Sequence, residues 1–331
     1  MSQSEAATET SARTRAQSRT DVCGGIALID LSRRSKATAS QVSRAYSTPS
    51  WPIRHDPSME TFVGFDSAWI GNPKAPGAIC AVSMVDGAPI RWHQPELVGF
   101  DAALTFIAEI TADSRYSLVA LDQPTIVPNL TSNRPVERLA GSLVGWNGGG
   151  TQSSNRGKVG MFCDASPIWG FLNALGATEE PEMARTAKEG LHLVETYPAA
   201  ALPTLAASSF GYLRALKYNP KPRSKFKPVD WVTVATAAQA EAISMACGQV
   251  AAWCAAAAEI PHPVKVDQDK LDAVICLLVA IRWRLQPREH SAMLGDLASG
   301  YMIIPVSGDV RAYLETAART KGVPIDGRVP V

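Results

Sequence analysis

Three acidic residues stand at the carboxyl ends of apolar runs that read as strands. Asp66 closes Phe62-Val63-Gly64-Phe65, Asp122 closes Leu118-Val119-Ala120-Leu121, and Glu195 lies within Leu193-Val194-Glu195-Thr196-Tyr197-Pro198. Open α/β sheets bind ligands beyond that end of their strands, so isolated charges there call for a chemical reason. Asp269 and Asp272 add two more at the start of an apolar helical run, where their i, i+3 spacing puts them on neighbouring rows of one face. Asp269 also sits where a helix N-cap would sit, and capping alone would account for it. Carboxylates gathered at one end of a sheet repel each other unless they are protonated or neutralised. A divalent cation with oxygen ligands removes the repulsion, and Mg²⁺ or Mn²⁺ suits an all-oxygen set.

An anionic substrate at such a centre needs cations to grip it. Arg214, Lys217, Lys221, Arg223, Lys225 and Lys227 form a basic stretch with no acid before Asp230, and Tyr212, Tyr218 and Phe226 are interleaved where they could stack on bases. Pro220, Pro222 and Pro228 mark the same stretch as irregular chain, so a solvated loop is the plain alternative. Arg134, Arg138, Arg156 and Lys158, on either side of Gly148, Gly149 and Gly150, are further candidates for nucleic-acid contact, with surface solubility as their alternative. His192 reads as a general acid, as an outer partner of Glu195, or as a structural ring. No GxSxG, Walker-type loop or GxGxxG occurs, which sets aside α/β-hydrolase, P-loop and dinucleotide readings and any nucleotide cofactor.

The elements that must position these groups follow from periodicity. Apolar runs at 62–65, 78–85 and 88–92 are joined by connections too short for a crossover, which predicts three antiparallel strands. Leu97, Phe100, Leu104, Ile107 and Ile110 recur at helical spacing over 97–111, and a strand follows at 117–121. The segment 123–190 reads as an insertion holding a mobile glycine loop, after which come a strand at 191–197 and a helix from 199. An Ala-rich helix over 229–258, an amphipathic helix over 269–285 and an edge strand at 301–306 complete the pattern. The sum is an α/β fold with a mixed sheet, three antiparallel strands then parallel ones, flanked by helices. Residues 1–58, crowded with Ser, Thr, Ala, Arg and Gln, read as a disordered tail and 59–331 as one domain.

Composition narrows the classes. Of 331 residues 46% are apolar and 19% charged, and the net charge of +1 leaves no overall attraction to nucleic acid or membrane, so any such attraction must be local. The six cysteines lie apart without a CxxC pair, which fits buried thiols of a cytoplasmic protein rather than a zinc site or disulfide framework. No export signal and no bilayer anchor are expected.

Taken together, "FVGFDSAW", "VALDQP", "VETYP" and "DKLDAVICLLVA" resemble the motifs of a predicted-nuclease family, domain of unknown function 429, whose members are assigned to the ribonuclease H-like superfamily. The resemblance covers roughly 61–306. It implies a ribonuclease H-like fold in which Asp66 and Asp122 hold metal, Asp272 completes the set, and Asp269 or Glu195 assists. It implies a metal-dependent nuclease using two ions about 4 Å apart to hydrolyse phosphodiesters. Two departures from the family pattern are visible: Ser67-Ala68-Trp69 replaces a Gly-rich continuation, and "DQP" stands where "DAP" is common. The alternatives are a non-catalytic ribonuclease H-like scaffold binding nucleic acid or protein, and an actin-like phosphotransferase, for which one Asp-Ser-Ala turn is a poor fit.

Overall fold

Residues 61–68 and 77–84 are buried almost without interruption, the pattern of strands covered on both faces rather than half-solvated ones. The computed structural model describes residues 56–70, 74–146, 150–210, 215–221 and 223–331. In it, β1 (Asp56–Asp66), β2 (Gly77–Val85) and β3 (Ala88–Val98) lead to α1 (Phe100–Thr111) and β4 (Ser114–Asp122). Then come α2 (Pro135–Trp146), α3 (Pro167–Leu175), α4 (Pro181–Thr186), β5 (Gly190–Glu195) and α5 (Pro198–Leu205). The chain continues through α6 (Pro228–Ser244), α7 (Gly248–Ala258), α8 (Lys265–Leu285), β6 (Ser291–Asp296), β7 (Gly300–Pro305) and α9 (Gly308–Lys321).

The main sheet has the order β3-β2-β1-β4-β5, with β2 antiparallel to both neighbours and β1, β4 and β5 mutually parallel. It is an α/β mixed sheet flanked by helices, consistent with the ribonuclease H-like arrangement. One face, carrying Phe62, Tyr116, Leu118 and Ala120, packs under α8 and the Ala-rich pair α6 and α7. The other, carrying Val63, Phe65, Val119 and Leu121, packs on α1 and α3.

Several elements differ from the sequence reading. The run at 301–306 forms β7, which pairs with β6 in its own antiparallel hairpin, covered by α2 and α9, and meets the edge of the main sheet through a single parallel bridge from Ile303 to Thr196 just after β5. The helix over 229–258 is two helices. Ala246 turns the chain at φ 57° and the Cys247 N–H closes on the Ala242 carbonyl, an αL ending that alanine-rich sequence disguises because glycine arrives only at 248. Leu97 and Val98 extend β3, so α1 starts at Phe100, and three helices occupy part of the segment read as an insertion with a loop. Of the tail, residues 1–55 lie outside the described residues, as do Cys23, Gly148, Gly149, Tyr212 and Arg214.

One glycine sets how closely the helical layer approaches the sheet. A Cβ on Gly64 would lie 2.1 Å from the Ala273 carbonyl oxygen and 2.3 Å from the Leu277 nitrogen, so α8 rests on the bare backbone of β1. Gly64→Ala is therefore expected to cost about 1–3 kcal/mol or more, since backbone rather than a flexible side chain must yield. Urea unfolding measures it, and a stability equal to wild type would refute the close approach.

Candidate active site

Register brings the first two acids together. β1 and β4 are in parallel register with Asp66 opposite Asp122, so both side chains leave the sheet on the same face, the one that α8 covers. That helix supplies Asp269 and Asp272. It starts at Lys265, with Asp267 accepting the Val264 N–H at 2.8 Å, so Asp269 is no N-cap but an interior residue. All four aspartates line one cavity of about 440 Å³ at the carboxyl end of the parallel strands. Asp66, Asp269 and Asp272 are buried, and Asp122 is partly open.

The electrostatics follow from this crowding. Burial, then the charges of Asp122 and Asp272, hold Asp66 well above the ordinary carboxylate range. Burial, then Asp272 and Glu195, do the same to Asp122. Burial pushes Asp272 up to about 6 against the pull of Lys265 and hydrogen bonds from Tyr218 (2.8 Å) and Gln268 (2.6 Å). Lys265 pairs with Asp269, and although burial alone would lower its pKa, the surrounding aspartates raise it. The amide oxygen of Gln268 is buried without a partner while its amide nitrogen serves Asp272. Four carboxylates and an orphaned amide oxygen are the donors a hard divalent cation takes. Among the described residues no three His, Cys, Asp or Glu side chains stand grouped as a ready-made metal cage.

The pH dependence has a definite sign. A carboxylate raised in the folded state contributes stability that is complete below its unfolded pKa and lost as pH rises through the folded one. Relative to Asp66→Asn plus Asp122→Asn, the wild-type chain without added metal should lose stability as pH rises above the ordinary carboxylate range, about 4, toward the raised range of the two acids. Parallel thermal melts of the two proteins measure this, and curves of constant separation would show that neither burial nor the neighbouring charges raise the two acids.

Glu195 is not part of the cavity. It pairs in register with Leu121, one residue short of Asp122, so alternation turns it to the opposite face. There its carboxylate takes two hydrogen bonds from Arg134, at 2.5 and 2.8 Å, and one from the Thr125 N–H at 3.0 Å. Arg134 is likewise no phosphate grip. It is fully buried and also binds Glu137 at 2.9 Å and the Ile126 carbonyl at 3.0 Å, which leaves it inaccessible to a polymer. Tyr218, expected to stack on bases, is buried and holds Asp272, while Phe226 packs against the core.

The remaining candidates divide. Lys221, Arg223, Lys225 and Lys227 are exposed and Lys217 half-buried, and Lys221 lines the acidic cavity, which ties the basic stretch to the acids. Arg138 is exposed on α2. Arg156 pairs with Asp164 and lies 4.8 Å from the Trp169 ring centre, and Lys158 is half-buried. His192 is buried and stacked on Tyr116 at 5.1 Å, a structural placement. Sequence reasoning missed Lys265 and Gln268, though both share a helix turn with Asp269 and Asp272. It also treated the two departures from the family pattern separately, and they meet: Gln123 accepts from the Ser67 hydroxyl and donates to the Trp69 carbonyl at 3.3 Å, fixing the turn after Asp66.

Fold and site define an α/β protein with a buried aspartate cluster at the carboxyl end of its parallel strands. The chain belongs to the family described as "Protein of unknown function (DUF429)", whose model matches residues 64–293. No curated protein and no solved structure matches it. Among the described residues no helix is long and apolar enough to cross a membrane. The described cysteines are free thiols, four of them buried, with Cys163 half-buried.

Proposed function

We propose that this protein is a metal-dependent nuclease of ribonuclease H-like type, hydrolysing phosphodiester bonds at the aspartate cavity. The observation that carries the reading is the register pairing of Asp66 with Asp122 beneath Asp269 and Asp272, four acids in one cavity whose lining also includes Lys74, Lys221 and Lys265. Asp66, Asp122 and Asp272, with Asp269 and the Gln268 oxygen, would hold Mg²⁺ or Mn²⁺. When bound, such ions supply a water of lowered pKa and neutralise charge on the departing oxygen.

The chain's own residues do the rest. Tyr218 and the Gln268 amide fix the Asp272 carboxylate in one orientation. Lys265 pairs with Asp269 at the cavity wall, where its ammonium group would meet a phosphate brought to the acids. Lys221 at the cavity edge and the exposed Arg223, Lys225 and Lys227 beyond it attract a polyanion locally in a chain of near-zero net charge. The free thiols fit the reducing cytoplasm.

The test is a panel of end-labelled single-stranded DNA, duplex DNA, RNA and branched junctions, incubated with Mn²⁺, with Mg²⁺ or with chelator. Cleavage of at least one substrate that chelator abolishes is the expected result. Binding without cleavage, unchanged by Asp66→Asn, would instead establish a non-catalytic scaffold.

A further inference from the structure

A second cavity opens beside the acidic one. It encloses about 240 Å³, and its walls include the rings of Trp69 and Tyr197 with Pro124 and Met302. The two cavities share Trp69. Pro124 follows Asp122 by two residues, so their Cα atoms are within about 7 Å of one another. Burial, with the charges of Asp122 and Asp272 adding to it, holds the Tyr197 phenol above its ordinary range, which places that ring within the field of the acids.

The wall is built. Trp69 has a left-handed backbone, φ 44°, which a bulky residue adopts only under constraint, and Gln123 bonds its carbonyl while its ring meets the edge of Phe162 at 5.7 Å. Tyr197 donates to the Gly150 carbonyl at 3.1 Å. Ser154 is fully buried and borders the cavity, yet its hydroxyl has no hydrogen-bond partner. Buried hydroxyls as a rule find one, so Ser154 is an unspent hydrogen-bonding group at the cavity wall.

We propose that the second cavity is a base pocket, taking the nucleobase of a nucleotide whose phosphate lies at the aspartate cavity. This rests on the phosphodiesterase reading and narrows it. Two aromatic rings with Pro and Met offer a stacking face that any base can use, and Ser154 offers a hydrogen bond to a ring edge. The volume falls below the roughly 300–1,000 Å³ of sites for drug-sized molecules, so it admits one ring system. A base inside a duplex cannot reach such a pocket without leaving the stack. The substrate class is therefore a single strand or an unpaired nucleotide.

The test is calorimetric titration of the full chain with Mn²⁺, using AMP, dAMP, adenosine and ribose 5-phosphate as probes. AMP should bind about tenfold or more tightly than ribose 5-phosphate, which carries phosphate and sugar but no base. Ser154→Ala and Trp69→Leu should each shrink that advantage, and the dAMP arm assigns the pocket to RNA or DNA. Equal binding of AMP and ribose 5-phosphate, an advantage indifferent to both substitutions, or no binding at all overturns the proposal. If AMP and adenosine bind through Ser154 and Trp69 while no substrate is cut, the pocket stands and the nuclease reading falls.

Discussion

Asp66→Asn plus Asp122→Asn should lower Mn²⁺-dependent cleavage on the order of 10³-fold or more while raising the melting temperature of the metal-free protein. Both effects have one origin. The two carboxylates are register partners, forced together under α8, and each is held above its ordinary range by burial and then by the neighbouring acids. Ionising them costs stability, about 1.4 kcal/mol for each pKa unit by which the folded state raises them. Asparagine keeps the shape and removes the charge. The gain would appear as a rise in melting temperature, roughly 2–4 °C per kcal/mol in a chain of this order of size. The same charges would provide the positioning and electrostatic stabilisation on which phosphodiester hydrolysis depends, so the double variant should cut barely above background. Mn²⁺ should raise the melting temperature of the wild type and leave that of the variant unmoved, because stabilisation by a ligand requires its site. A variant that cuts as well as wild type would remove these carboxylates from the chemistry, and one that is less stable would show that the attraction of Lys265 outweighs their repulsion.

How much of this was legible in the sequence depends on which question a residue poses. Asp66 and Asp122 end apolar runs of similar length on strands that become neighbours, and the sequence pattern is enough to bring them together. Glu195 ends a run that looks the same. Only the pairing with β5 shows that it stands opposite Leu121 rather than Asp122, and with a period of two a one-residue offset sends it to the other face. Arg134 misled because a charged residue near a glycine loop belongs by default on the surface, and nothing local announces two buried glutamate partners, one of them 61 residues away. Tyr218 misled similarly: in a basic stretch an aromatic suggests stacking, but Asp272 needed a buried donor. Composition also hid the break between α6 and α7, since alanine favours helix on both sides and only tertiary packing selects the turn at Ala246.

Arg134→Met should destabilise the protein by about 3–5 kcal/mol near neutral pH, because it strips the partner from two buried glutamates rather than removing a matched pair. Arg134 and Glu137 are 0% and 1% exposed and Glu195 is 1% exposed, so no water replaces the lost hydrogen bonds. The guanidinium ties three segments: the chain after β4 through Ile126, the start of α2 through Glu137, and the end of β5 through Glu195. Burial already raises Glu195, with Arg134 pulling it back down. Without Arg134 that carboxylate rises further, so its protonation should relieve part of the loss on going from about pH 8 to about pH 5. Urea unfolding at both values measures the difference. Adding Glu195→Gln to Arg134→Met should recover part of the stability, since the pair is then removed together. Glu195→Gln alone should leave metal-dependent cleavage far closer to wild type than Asp66→Asn does, because a residue on the opposite face of the sheet acts by holding the strand ends in place. A Glu195→Gln protein as inactive as Asp66→Asn would put that carboxylate back among the catalytic groups.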